Sequence, residues 1–172
     1  MIQDIPDPDW MLRDDVAWAY QALIDLDLVF DALGFPQHLE NFNTLLRRYP
    51  GLRTVVDHCM KPQIADASAE FGQWAEGISQ LAETGAWCKF SGLVTEAAAD
   101  WTIEDLRPYA EHLLATFGPS RLMWGSDWPV VRLRAEYGEW HAAAGALTAH
   151  LDPAARAAIF GGNAVRAYGL AP

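Results

Sequence analysis

The sequence predicts an α/β protein built of four parallel β/α units, and three observations carry that prediction. Its apolar runs are short, helix-patterned stretches separate them, and the connections of about 20 to 30 residues are too long for hairpins. Four such units are half of a closed eight-stranded barrel, which typically needs ~250 residues; a small open sheet is the alternative. The 172 residues, half of them apolar, suffice for one domain with a core (residues 1–172) and argue against disorder.

Taken in order, Met1–Trp10 holds two prolines and three aspartates and reads as an irregular lead-in. Asp14 or Asp15 is placed to cap a helix over Val16–Leu26, where Ala17, Tyr20, Leu23 and Ile24 recur at helical spacing. Leu28–Leu33 is the first strand. Leu39, Phe42, Leu45 and Leu46 make one face of a helix over Leu39–Tyr49, with Arg47 and Arg48 favouring its C-terminal end. Thr54–His58 is the second strand, broken by Lys61–Pro62. Phe71–Glu83 is an amphipathic helix and Trp87–Phe90 the third strand, closed by Ser91–Gly92. Thr102 caps a helix over Ile103–Phe117, and Gly118–Pro119 ends it. Leu122–Trp124 is the fourth strand. Two helices follow a loop to about Tyr137; the second has Asp152 as N-cap and Pro153 at its first position and runs to Phe160. Asn163–Tyr168 is a final helical turn.

The net charge of −11 argues against nucleic acid or an anionic membrane surface as partner. Two cysteines, Cys59 and Cys88, make no disulfide framework, and no apolar run approaches the ~20 residues of a membrane span, so a reducing cytoplasm is the expected compartment. Parallel connection gathers the strand C-termini on one face, which brings together Asp31, Asp57, His58, Lys89, Ser91, Asp127 and Trp128. An aspartate there can take a proton from water attacking a carbonyl. A histidine can bind a divalent metal or polarise the carbonyl, and a lysine can stabilise the oxyanion. Each has a plainer reading: Asp127 as a turn residue, His58 as a hydrogen-bonded strand end, Lys89 reaching solvent, Asp31 and Ser91 as structural groups, and Cys59 as a small buried residue. His38, His112, His141 and His150 have no ligand spacing and read as surface or packing residues. Nucleophile-elbow, HExxH and phosphate-loop patterns are absent.

The segments DHCMKP (Asp57–Pro62), KFSGLVTEA (Lys89–Ala97), RLMWGSDWPV (Arg121–Val130) and IFGGNAVRAYGL (Ile159–Leu170), with QDIPDPDWM (Gln3–Met11), resemble the amidohydrolase-related family, the amidohydrolase 2 group. The nearest branch is the sugar-lactonase-like one, with fuconolactonases, rhamnonolactonases and relatives of 2-pyrone-4,6-dicarboxylate lactonase. The resemblance spans essentially the whole chain. It implies a TIM-type (β/α)₈ barrel that hydrolyses a lactone, here represented by its last four units. It also implies Asp127 as general base on the hydrolytic water and His58 as carbonyl polariser, with His58 and Asp127 as ligands where a zinc-like divalent metal is used. Lys89, Ser91 and Trp128 are the expected substrate-binding residues, Trp128 offering its face to a sugar ring.

Two features depart from the family. Its HxH pair, normally at the end of the first strand, does not occur in this sequence. Met60 stands where a small residue such as glycine is expected, and the sequence reading places its side chain beside the pocket. Two functional classes follow for the chain: a hydrolase of a small-molecule sugar lactone, with a homodimer supplying eight strands, or a non-catalytic fragment that only binds or assembles.

Overall fold

The computed structural model describes residues 5–66 and 71–171; residues 1–4 of the expected lead-in lie outside them. Four strands, β1 (Phe30–Ala32), β2 (Thr54–Val56), β3 (Trp87–Phe90) and β4 (Leu122–Trp124), form one parallel sheet in sequence order. Phe30 pairs with Thr54, Val55 with Trp87, and Lys89 with Met123. The helices are α1 (Ala17–Asp25), α2 (Leu39–Arg48), α3 (Phe71–Glu83), α4 (Leu93–Glu96), α5 (Ile103–Phe117), α6 (Tyr137–Leu147), α7 (Pro153–Ala157) and α8 (Asn163–Tyr168). This is the expected set of parallel β/α units, with one short helix, α4, that the sequence reading lacks.

Side chains alternate across the sheet because the strand period is two. Ala32, Val56, Cys88, Phe90 and Leu122 face the main core with Phe42, Leu45, Trp74, Ile78, Leu81, Leu106 and Leu113 from α2, α3 and α5. Each such aliphatic or aromatic side chain contributes about 1.5–3 kcal/mol by leaving water. The helices approach closely where Gly77 lies against Leu39; a Cβ there would sit 2.9 Å from the Leu39 side chain. Val55 and Met123 point to the other face, with Val29 and Trp87, and are covered by Ala164, Ala167 and Tyr168 of α8. Asn163 anchors α8 by donating from Nδ2 to the carbonyls of Pro119 and Leu122. Arg121 ties the start of β4 to the turn before β3, donating to Ala82 O (2.7 Å) and Ala86 O (3.1 Å).

Three local expectations are corrected. Asp14 and Asp15 do not cap α1: they form a 3₁₀ turn, and Asp15 takes the Arg13 guanidinium instead. The second strand stops at Val56, because the next residues turn left-handed. The helix expected to run from Pro153 to Phe160 gives way at Ala157 to a wider π-turn over Ala158–Gly162. Within the described part of the lead-in, Asn41 Nδ2 donates to Pro8 O (2.6 Å) and Asp9 Oδ1 (3.0 Å), and a 3₁₀ turn begins at Trp10. Among the described residues β1 pairs only with β2 and β4 only with β3, so both sheet edges are open.

Candidate active site

The residues Asp57–Met60 leave β2 in a 3₁₀ turn whose hand is reversed. His58, Cys59, Met60 and Lys61 have φ of 47°, 52°, 58° and 47°. None is glycine, and the left-handed region costs an L-residue roughly 1–2 kcal/mol each. Surrounding contacts hold the turn. Cys59 and Met60 are fully buried, Trp74 Nε1 donates to Cys59 O (2.8 Å), Cys59 Sγ donates to Lys89 O (3.0 Å), and Lys61 N donates to His58 O (2.8 Å). Met60 therefore points into the core and does not line the pocket, contrary to expectation. Its positive φ is the physical reason a glycine suits that position.

The reversed turn presents His58 to the ends of β3 and β4. His58 Nδ1 shares a hydrogen bond with Ser91 Oγ (2.8 Å), and Nε2 lies 3.5 Å from Asp127 Oδ1. Gly92 makes room for this: its φ is +74°, and a Cβ on it would meet His58 Cβ at 2.8 Å. Asp127 also sits at positive φ, 55°, just past β4. Its Oδ2 accepts from Thr95 Oγ1 (3.1 Å), which leaves Oδ1 toward the imidazole. Burial lowers the His58 pKa from its ordinary value, against the Asp127 and Asp57 carboxylates that raise it; Lys61 and Lys89 lower it further. A neutral imidazole is the form that can bind a metal or polarise a carbonyl.

Lys89 stands on the same face. Its ammonium lies 2.9 Å from Asp31 Oδ1 and 2.5 Å from Asp57 Oδ1. The Asp57 contact is ionic and lacks the alignment of a hydrogen bond, since that oxygen is buried without a hydrogen-bonding partner. Although burial pushes the ammonium pKa down, the two carboxylates hold it above its ordinary value. Tyr168 OH donates to Asp31 Oδ1 (2.5 Å), and burial pushes that phenol up to about 12.

Of the sequence-predicted residues, the structure brings together His58, Ser91 and Asp127, and separately Lys89, Asp31 and Asp57. Ser91 is only 1% exposed, so its hydroxyl orients His58 from behind. Trp128 is 65% exposed beside Asp127. His38 is buried and accepts from Phe35 N, while His112 packs against Ser79, Phe71 and Trp74, as packing residues do. Thr95 and Glu96 were not foreseen; α4 is a single turn and leaves no periodicity to read. No group of three metal-ligating side chains occurs among the described residues, and no helix among them is long and apolar enough to cross a membrane.

Comparison with known proteins gives a consistent result. The amidohydrolase family model matches residues 2–170. An L-fucono-1,5-lactonase of Burkholderia ambifaria is 43% identical over 98% of this chain and 59% of its own length. A Burkholderia multivorans amidohydrolase whose crystal structure has bound zinc is 35% identical and superposes with a TM-score of 0.92, covering 99% of this chain and 63% of that one. A probable 2-pyrone-4,6-dicarboxylic acid hydrolase of Acinetobacter baumannii, 18% identical, shares the fold at a TM-score of 0.77, covering 93% of this chain and 59% of its own. The chain thus spans roughly three-fifths of the length of these three relatives.

Proposed function

The chain belongs to the amidohydrolase family, and from that premise we propose that it acts as a hydrolase of a sugar lactone such as L-fucono-1,5-lactone. The observation that carries the proposal is the convergence of Asp127 and His58, from the ends of β4 and β2, within 3.5 Å. In this reading Asp127 Oδ1 takes a proton from water as the water oxygen bonds to the lactone carbonyl carbon. The ring C–O bond then breaks, and the proton passes from Asp127 to the ring oxygen, leaving a hydroxy acid. Thr95 fixes the other carboxylate oxygen. With Ser91 donating to Nδ1, His58 carries its hydrogen on Nε2 and polarises the carbonyl. Lys89, held between two carboxylates, keeps Asp57 and the start of the His58 turn in place. Trp128 offers an apolar face to the sugar ring.

A zinc-like ion would use the Nε2 lone pair, with Ser91 accepting from Nδ1–H, and one oxygen of Asp127. It would supply Lewis acidity at the carbonyl. Zinc enzymes take at least three protein ligands, so these two groups do not complete a zinc site by themselves. The open sheet edges suit pairing with further parallel strands, as a homodimer would provide; light scattering on the eluting peak reads this directly. Residues 1–172 are taken as one amidohydrolase domain. The test of function is pH-stat hydrolysis of L-fucono-1,5-lactone by the purified chain, with and without added zinc. Turnover above the spontaneous rate supports the reading. A rate indistinguishable from buffer in both arms overturns it in favour of a non-catalytic fragment.

A further inference from the structure

α4 carries a carboxylate next to Thr95, the residue that donates to Asp127. Glu96 follows Thr95, is half-buried, and pairs with no cation among the described residues. Burial raises its carboxyl pKa, and the charges that act on it are Lys61, Asp127 and Arg134. Lys61 closes the left-handed turn that begins at His58. Its ammonium lies 5.1 Å from the centroid of the Phe35 ring and has no carboxylate partner among the described residues. Ala65 N donates to Glu96 O (2.9 Å), which fastens the segment after Lys61 to α4. A carboxyl and an ammonium, both half-buried and neither ion-paired among the described residues, thus stand on two linked segments, one bonded to His58 through Lys61 N and the other to Asp127 through Thr95. Such groups raise the free energy of the empty site and are stabilised by a ligand that hydrogen-bonds them.

We propose that Lys61 and Glu96, with the Phe35 ring beside them, form the subsite that recognises the hydroxyl groups of a polyhydroxylated lactone. This rests on the lactonase reading and extends it to the specificity-determining residues. Vicinal ring hydroxyls donate to the Glu96 carboxylate and accept from the Lys61 ammonium. The C–H face of the ring suits Phe35. A site built to hydrogen-bond a substrate hydroxyl discriminates strongly against an analogue lacking it, because the protein groups are then left without partners.

The experiment compares L-fucono-1,5-lactone with δ-valerolactone, which has the same ring size and no hydroxyls, on wild type, Glu96→Ala and Lys61→Ala. Each variant is expected to raise KM for the sugar lactone about tenfold, equivalent to about 1.4 kcal/mol, and to lower the ratio of kcat/KM for the sugar lactone to that for δ-valerolactone about tenfold. An equal loss on both substrates, or no change on either, overturns the proposal. Glu96→Gln, nearly isosteric, replaces the alanine variant if that one melts early. Calorimetric titration with the open-chain sugar acid reads recognition without turnover. Wild type that hydrolyses neither lactone refutes the lactonase reading. Sugar-acid binding that is absent from wild type, or equal in wild type and variants, refutes the subsite.

Discussion

Met60→Gly sets two effects at one position against each other. Met60 has φ of 58° and a fully buried side chain in the main core. Glycine at that φ removes a left-handed penalty of roughly 1–2 kcal/mol. It also removes a buried methionine side chain, which in cores costs about 2–5 kcal/mol for truncation to alanine, cavity included. Glycine's extra chain entropy in the unfolded state adds roughly 0.5–1 kcal/mol to the loss. Lost packing outweighs the relief of backbone strain, and the variant is expected to be less stable by about 0.5–5 kcal/mol. Urea denaturation read by tryptophan fluorescence measures this as a lower midpoint at unchanged slope. A variant as stable as wild type, or more so, refutes the placement of Met60 in the core or the left-handed turn itself. Because the side chain does not line the pocket, KM for a lactone should move by less than about twofold in molecules that stay folded.

Three further outcomes follow from the same geometry. Trp74→Phe keeps an aromatic side chain but removes part of a buried indole together with the donor to the Cys59 carbonyl, so stability should fall by at least roughly 1–3 kcal/mol and His58 chemical shifts should move; unchanged shifts would show that the turn holds without it. Lys89→Met leaves Asp57 facing Asp31 with no cation. A loss of roughly 1–3 kcal/mol is expected, partly restored by adding Asp57→Asn, and simple additivity of the two changes would deny the coupling. The pH dependence has a definite sign. The folded-state pKa of His58 is lowered below the ordinary value of 6.5, so the unfolded chain binds the proton more readily. The stability tied to neutral His58 is full above that ordinary value and lost as pH falls through the folded pKa. His58→Gln should flatten the fall of the urea midpoint as pH drops below the ordinary histidine value, and an unchanged profile would refute the assignment.

Much of the fold was legible because several local signals agreed. α3 and α5 begin and end where their apolar periodicity and flanking residues place them, and in α5 the Asp105 carboxylate accepts from both the N–H and hydroxyl of Thr102. Asp152 likewise accepts from Ala154 N and Ala155 N at the start of α7. His58 and Asp127 were visible as polar residues at the ends of apolar strands. The left-handed run His58–Lys61 was not, since it contains no glycine or asparagine to announce it and is held by distant partners, Trp74 and the Lys89 carbonyl. The roles of Ser91 and Lys89 were partly hidden for the same reason. Their residue types fit substrate contact, but their partners His58, Asp31 and Asp57 are set by the register of neighbouring strands. Thr95 and Glu96 lie on a helix of four residues, shorter than any periodicity test can register.

The pairing of Asp127 with His58 as the hydrolytic centre is the central claim, and Asp127→Asn tests it most directly. The change keeps shape and the Thr95 contact within reach while removing the base. Initial rates on L-fucono-1,5-lactone should fall roughly 10²–10⁴-fold, the usual contribution of a positioned general base, with the thermal melt little changed. A variant that hydrolyses the lactone within about twofold of wild type would contradict the account and remove Asp127 from the chemistry.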